Sequence, residues 1–133
     1  MARSRLAALL LIPLAFMLMG AKAVLVDPAP IAVPAGLAAK DVAKAIKVGI
    51  SRRGWVVSKD ENSQIDAVLS LRSHSARVAI PYSAKEVTIK YVSSEDLDYQ
   101  ENNGTKYIHG NYMKWIRNME ADIQRELQFL TVK

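Results

Sequence analysis

The sequence predicts an α+β domain in two layers: a helix, a four-stranded antiparallel sheet and a second helix, with both helices on one sheet face. Three observations predict it. Apolar residues recur at the helical period from Leu37 to Arg53 and again from Asn111 to Leu130. Between Trp55 and Tyr91 the period falls to two. The turns between those alternating runs are too short for a crossover, so neighbouring strands must run antiparallel. Neither helix stripe nor the apolar sheet face can be buried alone, and stacking them in two layers buries all three.

Two segments precede the domain. Arg3 and Arg5 lead into an uncharged run from Leu6 to Ala21, interrupted by Pro13. Spanning a bilayer takes about 20 apolar residues, and this run is shorter. Ala21-Lys22-Ala23 then supplies the small residues of an A-x-A cleavage site. Together these are the parts of a secretory signal peptide over residues 1–23, so the expected product is exported and begins at Val24. The other reading of the same residues keeps the segment as a membrane tether. Residues 24–36 carry Pro28, Pro30 and Pro34, which resist both helix and ladder, and are expected as an extended arm holding the domain away from its N-terminus. Residues 37–133 are expected to form one domain.

Composition narrows the function classes. The chain has no cysteine, which excludes disulfide scaffolds, thiolate zinc sites and a cysteine nucleophile. Of 18 basic residues, Arg3, Arg5 and Lys22 leave with the leader, so 15 face 13 acidic ones and the net charge is +2. That balance demands no polyanion, and no nucleic-acid partner is expected.

Within the domain, Val42, Ala45, Ile46, Gly49 and Ile50 share the buried face of the first helix, opposite Lys40, Lys44 and Lys47. Gly54 fits the position just past its end, and Gly49 offers a place for a strand to approach closely. Trp55-Val56-Val57 is a short strand, with Lys59 to Ser63 as a turn. Ile65, Ala67, Leu69 and Leu71 alternate with polar residues, then Val78, Ile80 and Tyr82, then Val87, Ile89 and Tyr91. Pro81 belongs at an edge or bulge. The outer sheet face would carry Gln64, Asp66, Ser70, Arg72, Thr88 and Lys90. Ser93 to Gly110 reads as a long acidic connection with a turn at Asn102-Asn103-Gly104. Asn111 can cap the last helix, whose stripe is Tyr112, Trp115, Ile116, Met119, Ile123, Leu127 and Leu130.

Few residues point to chemistry. His74 and His109 stand far apart in the chain, without the spacing of a metal site, and no serine sits in a nucleophile elbow. No cofactor is expected. A small hydrolase or metal enzyme would need both imidazoles and a carboxylate to converge. The alternative is a binding surface made of Arg72, His74, Tyr99, Tyr107 and His109, where arginine and histidine offer directional donors and tyrosine amphipathic area. The same residues could equally serve packing. The lysine face of the first helix, with Arg52 and Arg53 at its end, is either a solvated face or a dock for anionic envelope polymers and lipids. A free sheet face or edge would also support a homodimer.

Three stretches share one ordered pattern: Ile65-x-Ala67-x-Leu69-x-x-Arg72-x-His74-x-Ala76-x-Val78-x-Ile80-x-Tyr82, then Ile89-x-Tyr91-x-x-Ser94-x-x-Leu97-x-Tyr99, then Ile108-His109-x-x-Tyr112-x-x-Trp115. In this order they resemble a family of small proteobacterial envelope proteins commonly labelled lipoproteins and of unknown function. The resemblance spans most of Leu37 to Leu130 and implies a bacterial envelope setting, the periplasm for a product cleaved after Ala23, with no defined activity. Leu18-Met19-Gly20 matches the start of a lipobox, but Ala21 stands where the lipid-bearing cysteine belongs. Without that thiol the expected product is soluble, a non-enzymatic module binding an envelope protein, an anionic polymer or a lipid surface.

Overall fold

The computed structural model describes residues 22–132. The charged start and apolar run of the expected signal peptide, with Ala21 of its cleavage site, lie outside the described residues. Among the described residues the fold is α+β, with two helices and antiparallel sheets. Nine strands form three sheets: β1 is Lys22–Val24, β2 Ile31–Ala32, β3 Val56–Glu61, β4 Gln64–Leu71, β5 His74–Pro81, β6 Glu86–Val87, β7 Lys90–Glu95, β8 Gln100–Asn102 and β9 Thr105–His109. Helix α1 is Ala39–Ser51 and helix α2 is Gly110–Phe129. The expected four-stranded sheet is present in the order β3-β4-β5-β7, accompanied by a β1-β9-β8 sheet and a β2-β6 pair.

The register of the main sheet follows from its alternation. Ile65 faces Ile80, Ala67 faces Val78 and Leu69 faces Ala76, all six buried, so a slip by one residue would turn the whole set into water. Two-residue turns close the hairpins. Asn62 and Ser63 both take positive φ between β3 and β4, as do Asn103 and Gly104 between β8 and β9, the geometry that Asn-Gly accepts with least strain. The Lys59–Ser63 segment expected as a turn is therefore mostly strand, and only Asn62-Ser63 turns. Ser93–Gly110 is likewise not a plain connection, because Ser93–Glu95 finish β7 and the Asn103-Gly104 turn joins β8 and β9 into a hairpin. Pro81 closes β5 beyond the last residue paired with β7, where its missing N–H costs no ladder bond to that strand.

Both helix ends differ from expectation by chemistry that spacing does not reveal. Asp41 reaches back to accept the Ala38 N–H at 3.0 Å and starts α1. α2 is capped by His109, whose Nδ1 accepts the Asn111 N–H at 3.1 Å, so Asn111 is inside the helix. Past α1, the Gly54 N–H returns to the Ser51 carbonyl and the Trp55 N–H to the Ile50 carbonyl. This is a Schellman closure, with Gly54 at φ +91°.

The buried stripes of α1 and α2 and the buried sheet residues form one hydrophobic cluster. α1 and α2 touch along an antiparallel seam, on which Gly49 lies over Ile123 while Arg53 meets Asp122. A Cβ at Gly49 would fall 3.2 Å from the Ile123 nitrogen and 3.3 Å from Asp122 backbone atoms. The close neighbour at Gly49 is therefore a helix backbone and not a strand. Leu130, expected on the buried stripe, is exposed.

Residues 24–36 are extended, but they lie against the domain instead of holding it off. Val24 pairs with Tyr107, the Leu25 N–H bonds the Lys106 carbonyl, and Asp27 Oδ1 accepts the Tyr91 N–H at 2.9 Å. Ile31 is buried opposite Val87, and the Val33 N–H bonds the Lys85 carbonyl. The segment is thus bonded in turn to β9, to the Tyr91 N–H of β7, and to β6 with the loop before it.

Candidate functional site

Of the five residues expected to form a recognition surface, Arg72, His74 and His109 meet at the turns of one end of the main sheet, and the two histidines help hold that end together. Arg72 and Ser73 make the β4–β5 turn, with Arg72 at φ +57° and its side chain exposed. His74 Nδ1 lies 2.6 Å from the Asp96 carbonyl oxygen and 3.6 Å from its carboxylate, and Ser73 Oγ donates to that carboxylate at 2.6 Å. The next residue, Leu97, is buried, and its carbonyl accepts the His109 N–H at 2.8 Å. The Asp96-Leu97 turn thus receives contacts from both histidines, one by side chain and one by backbone. His109 spends its own Nδ1 on the cap of α2. Among the described residues no group of three or more histidine, aspartate or glutamate side chains is placed to hold a metal ion.

Tyr99 and Tyr107 separate. Tyr107 sits in β9 between Val24 and Gln100. Tyr99 stacks on Tyr91 with ring centroids 5.3 Å apart and planes 8° apart, and Tyr91 meets Tyr112 edge-on at 5.5 Å. Both arrangements are favoured by the ring quadrupoles. Burial raises the Tyr91 phenol above its usual range, against the lowering effect of the Ser94 hydroxyl 2.7 Å away. Burial, reinforced by the Asp27 carboxylate and by Tyr91, pushes the Tyr112 phenol far above the usual range. Tyr91, expected only as a strand residue, and Asp27 of the extended arm belong to this cluster, and neither is among the residues expected at a recognition surface.

A second feature lies where α1 ends. The Schellman closure at Gly54 turns Trp55 inward, and Arg53 stays at the surface beside it. Leu69 and Leu71 at the end of β4, with Trp115 and Asn118 of α2, complete a cleft of about 220 Å³. The protein has two tryptophans, and both line it. Arg53 is held in place from behind: its Nε donates to Asp122 Oδ2 at 2.8 Å, while Arg125 donates to the other Asp122 oxygen at 3.2 Å. Asp122 is 2% exposed, and these two guanidinium groups compensate its desolvation. Arg53 itself is half-exposed, so a positive charge held by Asp122 borders the two tryptophans and two leucines of the cleft.

Nothing local in the sequence announces this cleft. Trp115 reads as part of a helix stripe and Trp55 as the start of a strand, and the fold alone brings them together. Comparison of the chain with family models, with curated proteins and with solved structures finds no match. Among the described residues no helix is long and apolar enough to cross a membrane.

Proposed function

We propose that this protein is a non-enzymatic binding module of the bacterial envelope, exported by its N-terminal segment, and that its ligand seats in the tryptophan cleft. In this reading both helices cover one face of the main sheet, and the cleft opens where that cover ends. The observation that carries the proposal is the convergence of Trp55 and Trp115 with Arg53, whose guanidinium is aimed by the buried Asp122. Such a cleft suits a ligand with one apolar group and an adjacent anionic head. Its volume falls below the roughly 300–1,000 Å³ of pockets that enclose whole drug-sized ligands, so it would take an acyl end or a single ring of a larger envelope molecule. Arg72, His74 and His109 then act in the neighbouring turns, with Arg72 and Tyr99 as the outward members. The resemblance to small envelope lipoproteins supports the setting.

Decanoate is a suitable probe, since it carries an apolar chain and a carboxylate. Titration below its micelle concentration should give a saturable change in tryptophan emission. Arg53→Gln should weaken the apparent affinity about tenfold, the scale of one charge-assisted hydrogen bond in a partly exposed site. A non-saturable response, or an affinity untouched by Arg53→Gln, overturns the site.

A further inference from the structure

We propose a second, separate surface at the end of the helix pair where α1 begins and α2 closes, a docking face for an anionic lipid bilayer. Phe129 is 72% exposed and Val132 73%, beside the partly exposed Leu130 and Val48. Lys44, Ala45, Val48, Glu126, Phe129 and Leu130 frame one shallow hollow of about 180 Å³, which shows that the apolar tips and the α1 face are contiguous. Lys40, Lys44 and Val48 follow each other at four-residue intervals and so share one face of α1.

The charges of this face are sorted in a telling way. Glu126 is paired with Arg52, Lys47 with Asp60, and the Asp41 carboxylate is bonded to the Ala38 N–H. Lys40 and Lys44 have no carboxylate partner among the described residues. Nor are they needed to satisfy the end of α2. There the Leu130 N–H bonds the Glu126 carbonyl, the Thr131 N–H and hydroxyl bond the Gln128 carbonyl, and the Val132 N–H bonds the Phe129 carbonyl. Two unpaired lysines beside a projecting phenylalanine match an anionic interface, where the ring enters the headgroup boundary and the ammonium groups remain with the phosphates.

A second copy of the chain fits this face poorly. Around a two-fold axis the same patch meets itself, which would bring four lysines into one interface. A bilayer has no such conflict. Binding would be reversible and salt-sensitive, because two lysines and one ring fall well short of an anchor.

The test is sedimentation with vesicles containing phosphatidylglycerol, compared with vesicles of phosphatidylcholine alone, read together with hydrogen exchange on the full chain. Protein should partition onto the phosphatidylglycerol vesicles, with added amide protection confined to residues 40–48 and 126–132. Lys40→Gln with Lys44→Gln should lower the partition about twentyfold, near fivefold per charge. Phe129→Ser should lower it about tenfold. Both variants alter exposed side chains, and an unchanged urea midpoint confirms that they fold. Protection appearing only elsewhere, equal binding to both vesicle types, or a dimer abolished by Phe129→Ser would each overturn the proposal. Arg53→Gln leaves this binding unchanged, so the cleft and the docking face can fail independently.

Discussion

Along β3 every residue from Val56 to Glu61 is exposed, whereas at the opposite edge of the same sheet the Tyr91 N–H of β7 is bonded to Asp27. The open edge is guarded by its own sequence. Lys59, Asp60 and Glu61 place charge along it, and the register slips between Val57 and Lys59, which twists the edge and spoils it as a template. The other edge is guarded by a distant segment. The proline-rich strap crosses from β9 to β7 and on to β6, plugging one donor with a carboxylate and anchoring itself with Ile31. Edge protection by composition is local, and protection by a strap depends on tertiary packing.

That contrast can be broken most severely at the strap's anchor. Ile31→Ala removes a buried side chain and should destabilise the domain by about 3 kcal/mol in urea denaturation, within the usual range for such truncations. The same variant should lose exchange protection at the Tyr91 amide well before the centre of β4 does. A strap that only decorated the surface would show neither effect.

The next largest effect concerns pH. Tyr112 and Tyr91 keep their phenolic protons in the fold at pH values where the unfolded chain, with phenols near pH 10, has released them. Their folded values are raised, so this contribution to stability is complete below about pH 10 and is lost as pH climbs above it. Each such phenol removes at most about 1.4 kcal/mol per pH unit. Tyr112→Phe should therefore show a shallower alkaline decline in stability than the parent. An identical decline would mean that Tyr112 is not the group responsible.

Asp27→Ala acts on one bond of the shielded edge and should cost about 1 kcal/mol. Its signature is faster exchange at the Tyr91 amide, with Asp27→Asn retaining most of the protection. Smallest in stability is a change at the open edge. Lys59→Thr with Asp60→Thr should change the unfolding free energy from urea denaturation by less than about 0.5 kcal/mol, since their ion pairs are solvent-exposed. It should nevertheless introduce concentration-dependent association in sedimentation velocity. A sedimentation profile unchanged from the parent's would assign the guarding of β3 to its bulge and not to its charges.

The candidate site divides along the same line. Arg72 and His74 are legible as polar residues at a strand end and Tyr99 as an aromatic in a polar connection, and the turn at Asn103-Gly104 follows from its two residue types. The roles of His74 and His109 are not legible, because each depends on a backbone group: the Asp96 carbonyl for one and the Asn111 N–H for the other. Every backbone has such groups, so sequence carries no mark of which one a histidine will meet.

By itself the sequence determined what short-range physics controls. Period-two alternation set the register of β4 against β5, and the period of 3.6 set which faces of α1 and α2 turn inward. Gly54 set where α1 ends, because few other residues accept the required φ. Tertiary structure decided what depends on approach between distant segments: Gly49 against the Ile123 backbone, Asp27 on the β7 edge, Tyr91 between Tyr99 and Tyr112, and Trp55 beside Trp115. The physical reason is that periodicity fixes the direction a side chain faces, while its partner is fixed only when the whole core closes.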